Sequence, residues 1–248
     1  MTSRLNRRAG RRATRDITRR LSVSSGRSAL VKRVLSILAR EGLLLLSDAR
    51  LPSIAGLVAG APVRGSWWGH PAGQAIYQVS EALADHPDVA VNRLVTGKVT
   101  YVHRRLWPAL LAIGRACDPW QTRRLSRTAR SLLLRVTRQG TLRTDRIAGP
   151  KSRVSGAARE LEDRLLVHTE WIHTERGSHA RRLMSWDHWA RRQGTGLRAG
   201  ASRGPVKNAR SAREILERIV NELNARCGAD GRLPWQVSQP NAGARLRR

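Results

Sequence analysis

Apolar residues recur at helical or strand spacing along most of the first half of the chain. Leu30, Val31, Val34, Leu35 and Leu38 fall on one helical stripe, with Ser28 placed to cap it and Gly42 to stop it. Residues 51–73, LPSIAGLVAGAPVRGSWWGHPAG, are rich in Gly and Pro and predict short helical turns joined by loops. A helix over about 71–84 would then bury Ile76, Val79 and Leu83. VAVNRLV and KVTYVH flank Thr96-Gly97 and predict a β-hairpin. RRLWPALLAIGRA turns helical again, with Pro108 tolerated near the first turn because the early N–H groups lack intrahelical partners. Residues 28–118 therefore read as a mixed helical and hairpin domain, a mixed α/β unit.

From residue 119 the pattern changes. LSRTARSLLLRVTRQG places Ala129, Leu132, Leu133 and Val136 on one stripe, keeps Arg127, Arg130, Arg135 and Arg138 mostly off it, and ends at Gly140. TLR predicts a short strand, TDRIAG a brief helix capped by Thr144, and GPKSR a loop. SGAARELEDRLL predicts a third helix buried through Ala158, Leu161 and Leu165. LVHTEWIHTE and SHARRLMSW alternate as a hairpin, with Arg176-Gly177-Ser178 at its tip.

This order over about residues 120–192, and LLLRVTRQGTLRTDRI within it, resembles the winged helix-turn-helix superfamily. The resemblance implies a domain over 119–193 with its wing at the hairpin, and DNA binding; it carries no catalytic residues with it. DHWARR follows as a short basic segment. Residues 194–210 have the Gly and Arg content of a flexible basic linker. Residues 211–227 predict a C-terminal helix with a Ser211–Glu214 capping box and an apolar face of Ile215, Leu216, Ile219, Val220 and Leu223. Residues 228–248 read as a tail with little structure. The expected fold class is α+β, mainly helical.

Charge narrows the choice of partner. The chain has 47 Lys and Arg against 18 Asp and Glu in 248 residues, a net charge of +29. Such a surface holds polyanions. Only Lys32, Lys98, Lys151 and Lys207 are lysines, and arginine suits bidentate phosphate contact through its planar fork. Nucleic acid, DNA more than RNA, is the expected partner. Residues 1–27 hold nine arginines and one acid, Asp16, and too few apolar residues to bury a face. They predict a disordered basic arm, although an organellar presequence would have a similar composition. Cys117 and Cys227 are far apart and form no C-x-x-C pair, which suits a reducing cytoplasm. The longest aliphatic run, Leu43 to Leu46, is too short for a membrane span.

The candidate chemistry is sparse. In GSWWGHP, Trp67 or Trp68 could stack a base and His70 could bond it or a phosphate; equally, both indoles could fill a core with His70 capping the next helix. Lys151 and Arg153, ahead of the third helix, and Arg176, His179, Arg181 and Arg182 on the hairpin are the expected phosphate contacts. The off-core positions Arg159, Glu160, Glu162, Asp163 and Arg164 carry three acids against two bases. That is a poor face for a DNA groove, and it favours backbone-directed binding over base reading.

His168, His173 and His179 lie within twelve residues, but strand residues five apart face opposite sides, so His168 and His173 should not converge on a metal; neither metal nor cofactor is expected. Asp48, Glu81, Asp85, His86, Asp88 and His103 include acids and bases but no diagnostic spacing. The basic character and the aromatic pair also resemble bacterial winged-helix DNA glycosylases, which would place a modified base near Trp67, Trp68 and His70. That family's Gln-x-Gln or Gln-x-Asp element is missing, since two residues rather than one separate Gln236 and Gln239. A protein-interaction module is the third reading.

Overall fold

The computed structural model describes residues 26–175, 177, 179–194, 206 and 208–237. Residues 1–25, with nearly all of the expected basic arm, lie outside the described residues. So do Arg176 and Ser178 of the hairpin turn, most of the expected linker, and the chain beyond 237. The architecture is α+β, with two three-stranded antiparallel sheets set among helices. Among the described residues no helix is long and apolar enough to cross a membrane.

Helix α1 occupies residues 26–41. Ser28 therefore sits within the helix and does not cap it, while Gly42 ends it at φ 87°. The aliphatic run that follows is a strand, β1 (Leu43–Leu45), which no alternation announced. After α2 (Ile54–Ala59) and α3 (Gly73–Ala84), β2 (Val89–Arg93) and β3 (Val99–His103) form the expected hairpin, and β1 pairs with the other edge of β3. Thr96 (φ 51°) and Gly97 (φ 64°), central in the turn that the Lys98 N–H closes onto the Val95 carbonyl, are both left-handed, which matches the turn to strand twist. Both faces of this sheet are covered. Leu43, Ala90 and Val102 face one core, while Leu44 and Tyr101 face another with Val34, Leu38, Val79 and Leu83. A strand buried on both sides has no polar face to alternate with, which explains the continuous leucines.

Helix α4 (Trp107–Ala116) and the short α5 (Pro119–Thr122) lead into the second sheet region. Helix α6 (Arg127–Gln139) is capped by Ser126, buries Ala129, Leu132 and Val136, and ends at Gly140. Strand β4 (Thr141–Arg143) follows. The predicted helix at TDRIAG is a single 3-10 turn, Thr144–Arg146, without a side-chain cap. The Thr144 hydroxyl instead accepts the Arg181 N–H at 3.0 Å and ties the turn to the hairpin. Helix α7 spans Lys151–Asp163 and starts earlier than the apolar pattern indicated. Its first turn, Lys151-Ser152-Arg153, is wholly polar and exposed, so periodicity could not reveal it. Strands β5 (His168–His173) and β6 (His179–Met184) complete a sheet of order β4-β6-β5.

The segment read as merely basic, DHWARR, belongs to α8 (Trp186–Arg192), which buries Trp186 and Trp189. The Trp186 indole N–H donates to the Leu165 carbonyl at 2.7 Å. Helix α4 accommodates that indole only because residue 114 is glycine: a Cβ there would lie 2.2 Å from Trp186 Nε1. Helix α9 (Ala209–Cys227) is capped by Asn208, not by Ser211 with Glu214; Asn208 and Ser211 exchange side-chain and backbone bonds. Its Ala212, Leu216, Val220 and Leu223 share one apolar cluster with Trp107, Leu110, Met184, Trp186 and Trp189, so both sheet regions and the C-terminal helix meet in one core.

The tail is also more ordered than expected as far as 237. Leu233 and Trp235 are buried near the short α10 (Pro234–Val237), and Arg232 exchanges hydrogen bonds with Thr96 at the first hairpin's turn.

Candidate nucleic-acid interface

The early start of α7 changes which side chains face water. Helical geometry puts Val154, Ala157, Ala158 and Leu161 inward, and leaves Lys151, Ser152, Arg153, Ser155, Gly156 and Arg159 exposed. No acid belongs to that exposed set. Glu162 is buried and accepts the Thr169 hydroxyl at 2.8 Å, and Glu160 accepts the Ser126 N–H at 3.0 Å. Asp163 pairs with Arg159 at 3.1 Å. The count of three acids against two bases thus does not describe the helix's outer face, because two of the three carboxylates are spent on internal hydrogen bonds. Lys151 and Arg153 lie in the first turn of α7, not ahead of it.

The hairpin stands beside this helix. Arg181 and Arg182 are adjacent in sequence, and strand parity sends them to opposite faces of the sheet. Arg181 lies on the α7 side, where it donates to the Ser155 carbonyl at 3.2 Å and its guanidinium sits 4.8 Å from the ring centre of Trp171. Trp171 is directly opposite it in register and is 66 % exposed. Nothing in the sequence reading singled out Trp171; its place in the Thr169, Trp171, His173 alternation was the available signal. His179 faces His173 at the outer end, with ring centres 4.4 Å apart. Arg176 lies outside the described residues.

Arg182 faces the other side of the sheet. There a groove of about 500 Å³ is lined by Arg135, Arg143, Arg146, Arg182, Arg192 and His188, among others. Its cations are largely matched. Glu170 takes both Arg192, at 2.7 Å, and Arg182, at 3.4 Å, while Asp145 pairs with Arg143 at 2.8 Å. Nearer the core His168 is fully enclosed by Trp186 and Trp189, and burial pushes its imidazole down to about 4, so it is neutral near pH 7. Among the described residues no cluster of His, Cys, Asp or Glu could hold a metal.

Trp67, Trp68 and His70 lie together on the segment ahead of α3. Trp68 is 66 % exposed and stacks on Trp67 with ring centres 4.1 Å apart, so the two indoles do not both fill a core. His70 Nδ1 accepts the Ala72 N–H at 3.1 Å, just ahead of α3. Trp67 alone lines an open cleft of about 420 Å³ with Asp48, Arg93 and Lys98. Lys98 and Asp48 are paired there at 2.5 Å. Arg93 comes from β2, which packs against β5 and α7. Burial lowers the pKa of Arg93, and the nearby positive charges of Arg159 and Arg181 act in the same direction.

No protein-family model matches this chain, and neither a curated protein nor a solved structure is significantly similar to it.

Proposed function

We propose that the chain is a nucleic-acid-binding protein, with DNA as the first ligand to test, and that residues 119–193 act as a winged helix-turn-helix domain. The order α6, β4, 3-10 turn, α7, β5, β6 and the sheet order β4-β6-β5 support that reading. A single 3-10 turn stands where such domains place their second helix, and it departs from the pattern. The observation that carries the function is the exposed face of α7, where Lys151, Ser152, Arg153, Ser155 and Arg159 meet solvent without a free acid among them. A helix of this width fits a major groove, and hydroxyl, lysine and arginine side chains suit phosphates at its edges. Arg181 and His179 extend the same side of the domain along the hairpin.

The test is fluorescence anisotropy with a labelled duplex, comparing the wild type with Lys151→Ala/Arg153→Ala. Neither side chain is bonded within the described residues, so the melting temperature should hold while affinity falls by about 1 to 3 kcal/mol. Unchanged affinity in the double variant would refute the assignment of this face.

A further inference from the structure

Two exposed tryptophans bracket a row of cations, and that arrangement differs from what a duplex needs. Trp68 and Trp171 are each 66 % exposed, although six other tryptophans are buried or half-buried. Each is held by neighbours: Trp68 by the stacked Trp67 ring and the tilted Tyr77 ring, Trp171 by the Arg181 guanidinium. A supported indole with a face open to water is a platform for a planar ring. A chain of neighbouring cations connects the surroundings of the two. Trp67 shares its cleft with Arg93 and Lys98, β2 carries Arg93 against β5 and α7, and Arg159 and Arg181, with the acids Glu162 and Asp163, lie near enough for their charges to act on Arg93. Two of these cations are paired with acids, Lys98 with Asp48 and Arg159 with Asp163, and Glu162 accepts from Thr169, so Arg93 and Arg181 are the ones without a carboxylate partner among the described residues.

We infer that this face binds a nucleic-acid strand with unpaired bases, which stack on Trp68 and Trp171 while its phosphates run across Arg93, Arg159 and Arg181. The inference rests on the nucleic-acid reading above and adds the class of substrate. Paired bases present only their edges, so stacking on an indole needs a single strand, an overhang or a junction. The match of ligand to surface is one of charge as well as shape, since aromatic platforms spaced by guanidiniums suit alternating bases and phosphates.

The experiment measures affinity of the full chain for oligo(dT), oligo(U), an abasic oligonucleotide of equal length and a blunt duplex. Trp68→Ala, Trp171→Ala and the double variant are compared with the wild type. Both side chains are exposed, so folding should be unaffected; Trp68→Phe, which keeps a stacking ring, should retain most binding. Each alanine variant should weaken binding to the single strand about tenfold, and the double variant about a hundredfold, with little effect on the duplex. Wild-type protein should also prefer oligo(dT) to the abasic strand. Binding of oligo(U), whose bases also have free faces, should be weakened by the same alanine variants; oligo(U) binding left unchanged by the double variant would overturn the inference. Normal single-strand binding by the double variant would overturn the inference. So would a wild type that binds only duplex, which would leave the nucleic-acid reading intact. A wild type that binds neither would overturn both.

Discussion

The two hairpins of this protein are built to opposite ends. In β2–β3 no position is exposed: Val89, Ala90, Asn92, Thr100, Tyr101 and Val102 are buried, the rest are half-buried, and cores cover both faces. In β5–β6 burial is concentrated at the inner end, at His168, Leu183 and Met184, with Ala180 buried further out, while Trp171, His173 and His179 project into solvent. The first hairpin stabilises the fold through apolar area removed from water. The second keeps a large aromatic, Trp171, in water beside the half-buried Arg181, where it contributes little to folding and is available to a partner. Stability and binding should therefore separate cleanly between the two.

The sharpest way to break that comparison is at the core beside the first hairpin. Trp107 is buried against Trp189 and donates its indole N–H to the Val102 carbonyl of β3 at 3.3 Å. Trp107→Ala should cost about 3 to 5 kcal/mol in denaturant unfolding, whereas Trp171→Ala should cost close to nothing. A similar loss from both would show that the second hairpin is also structural.

The inner end of the second hairpin gives a pH test. His168 titrates near 4 when folded, because of burial, and near 6.5 when unfolded. Its folded pKa is depressed, so its stabilising contribution is complete above the unfolded value and is lost as pH falls from about 6.5 toward 4. The loss approaches roughly 3 kcal/mol at the lower end. The melting temperature of the wild type should drop through this window, and that of His168→Leu should drop less. Parallel curves would assign the acid sensitivity to other groups.

A smaller effect is expected on α7. Glu162→Ala removes the acceptor for the Thr169 hydroxyl and should destabilise by about 1 to 2 kcal/mol. Thermal unfolding equal to wild type would mean that this carboxylate is not needed inside and is free to face a ligand.

What the sequence made legible was what repeats. The stripe Ala129, Leu132, Val136 and the turn Thr96-Gly97 each combine a period with a stop signal, and both elements stand where those signals put them. Polar helical turns and doubly buried strands carry no such contrast. Lys151-Ser152-Arg153 looked like a loop because its first turn buries nothing. Leu43–Leu45 lacked alternation because both its faces are covered. The burial of Trp186, Trp189, Leu233 and Trp235 depends on partners distant in sequence, which local spacing cannot display. For the candidate interface, residue types were legible but sides were not: Arg181 and Arg182 are neighbours in sequence and face opposite ways, and Trp171 gained its meaning only beside Arg181.

The central claim is that the exposed face of α7 and the adjoining hairpin form an electrostatic contact with nucleic acid. The most direct measurement is the slope of log affinity against log salt for a labelled duplex, in the wild type and in Lys151→Ala/Arg153→Ala/Arg159→Ala. Each phosphate contact contributes about 0.9 to that slope, so the variant should lose roughly two to three units of it. A steep wild-type slope, reduced in the variant while the melting temperature holds, is the result expected here. A steep slope left unchanged by the three substitutions, or a flat slope in the wild type, would contradict it.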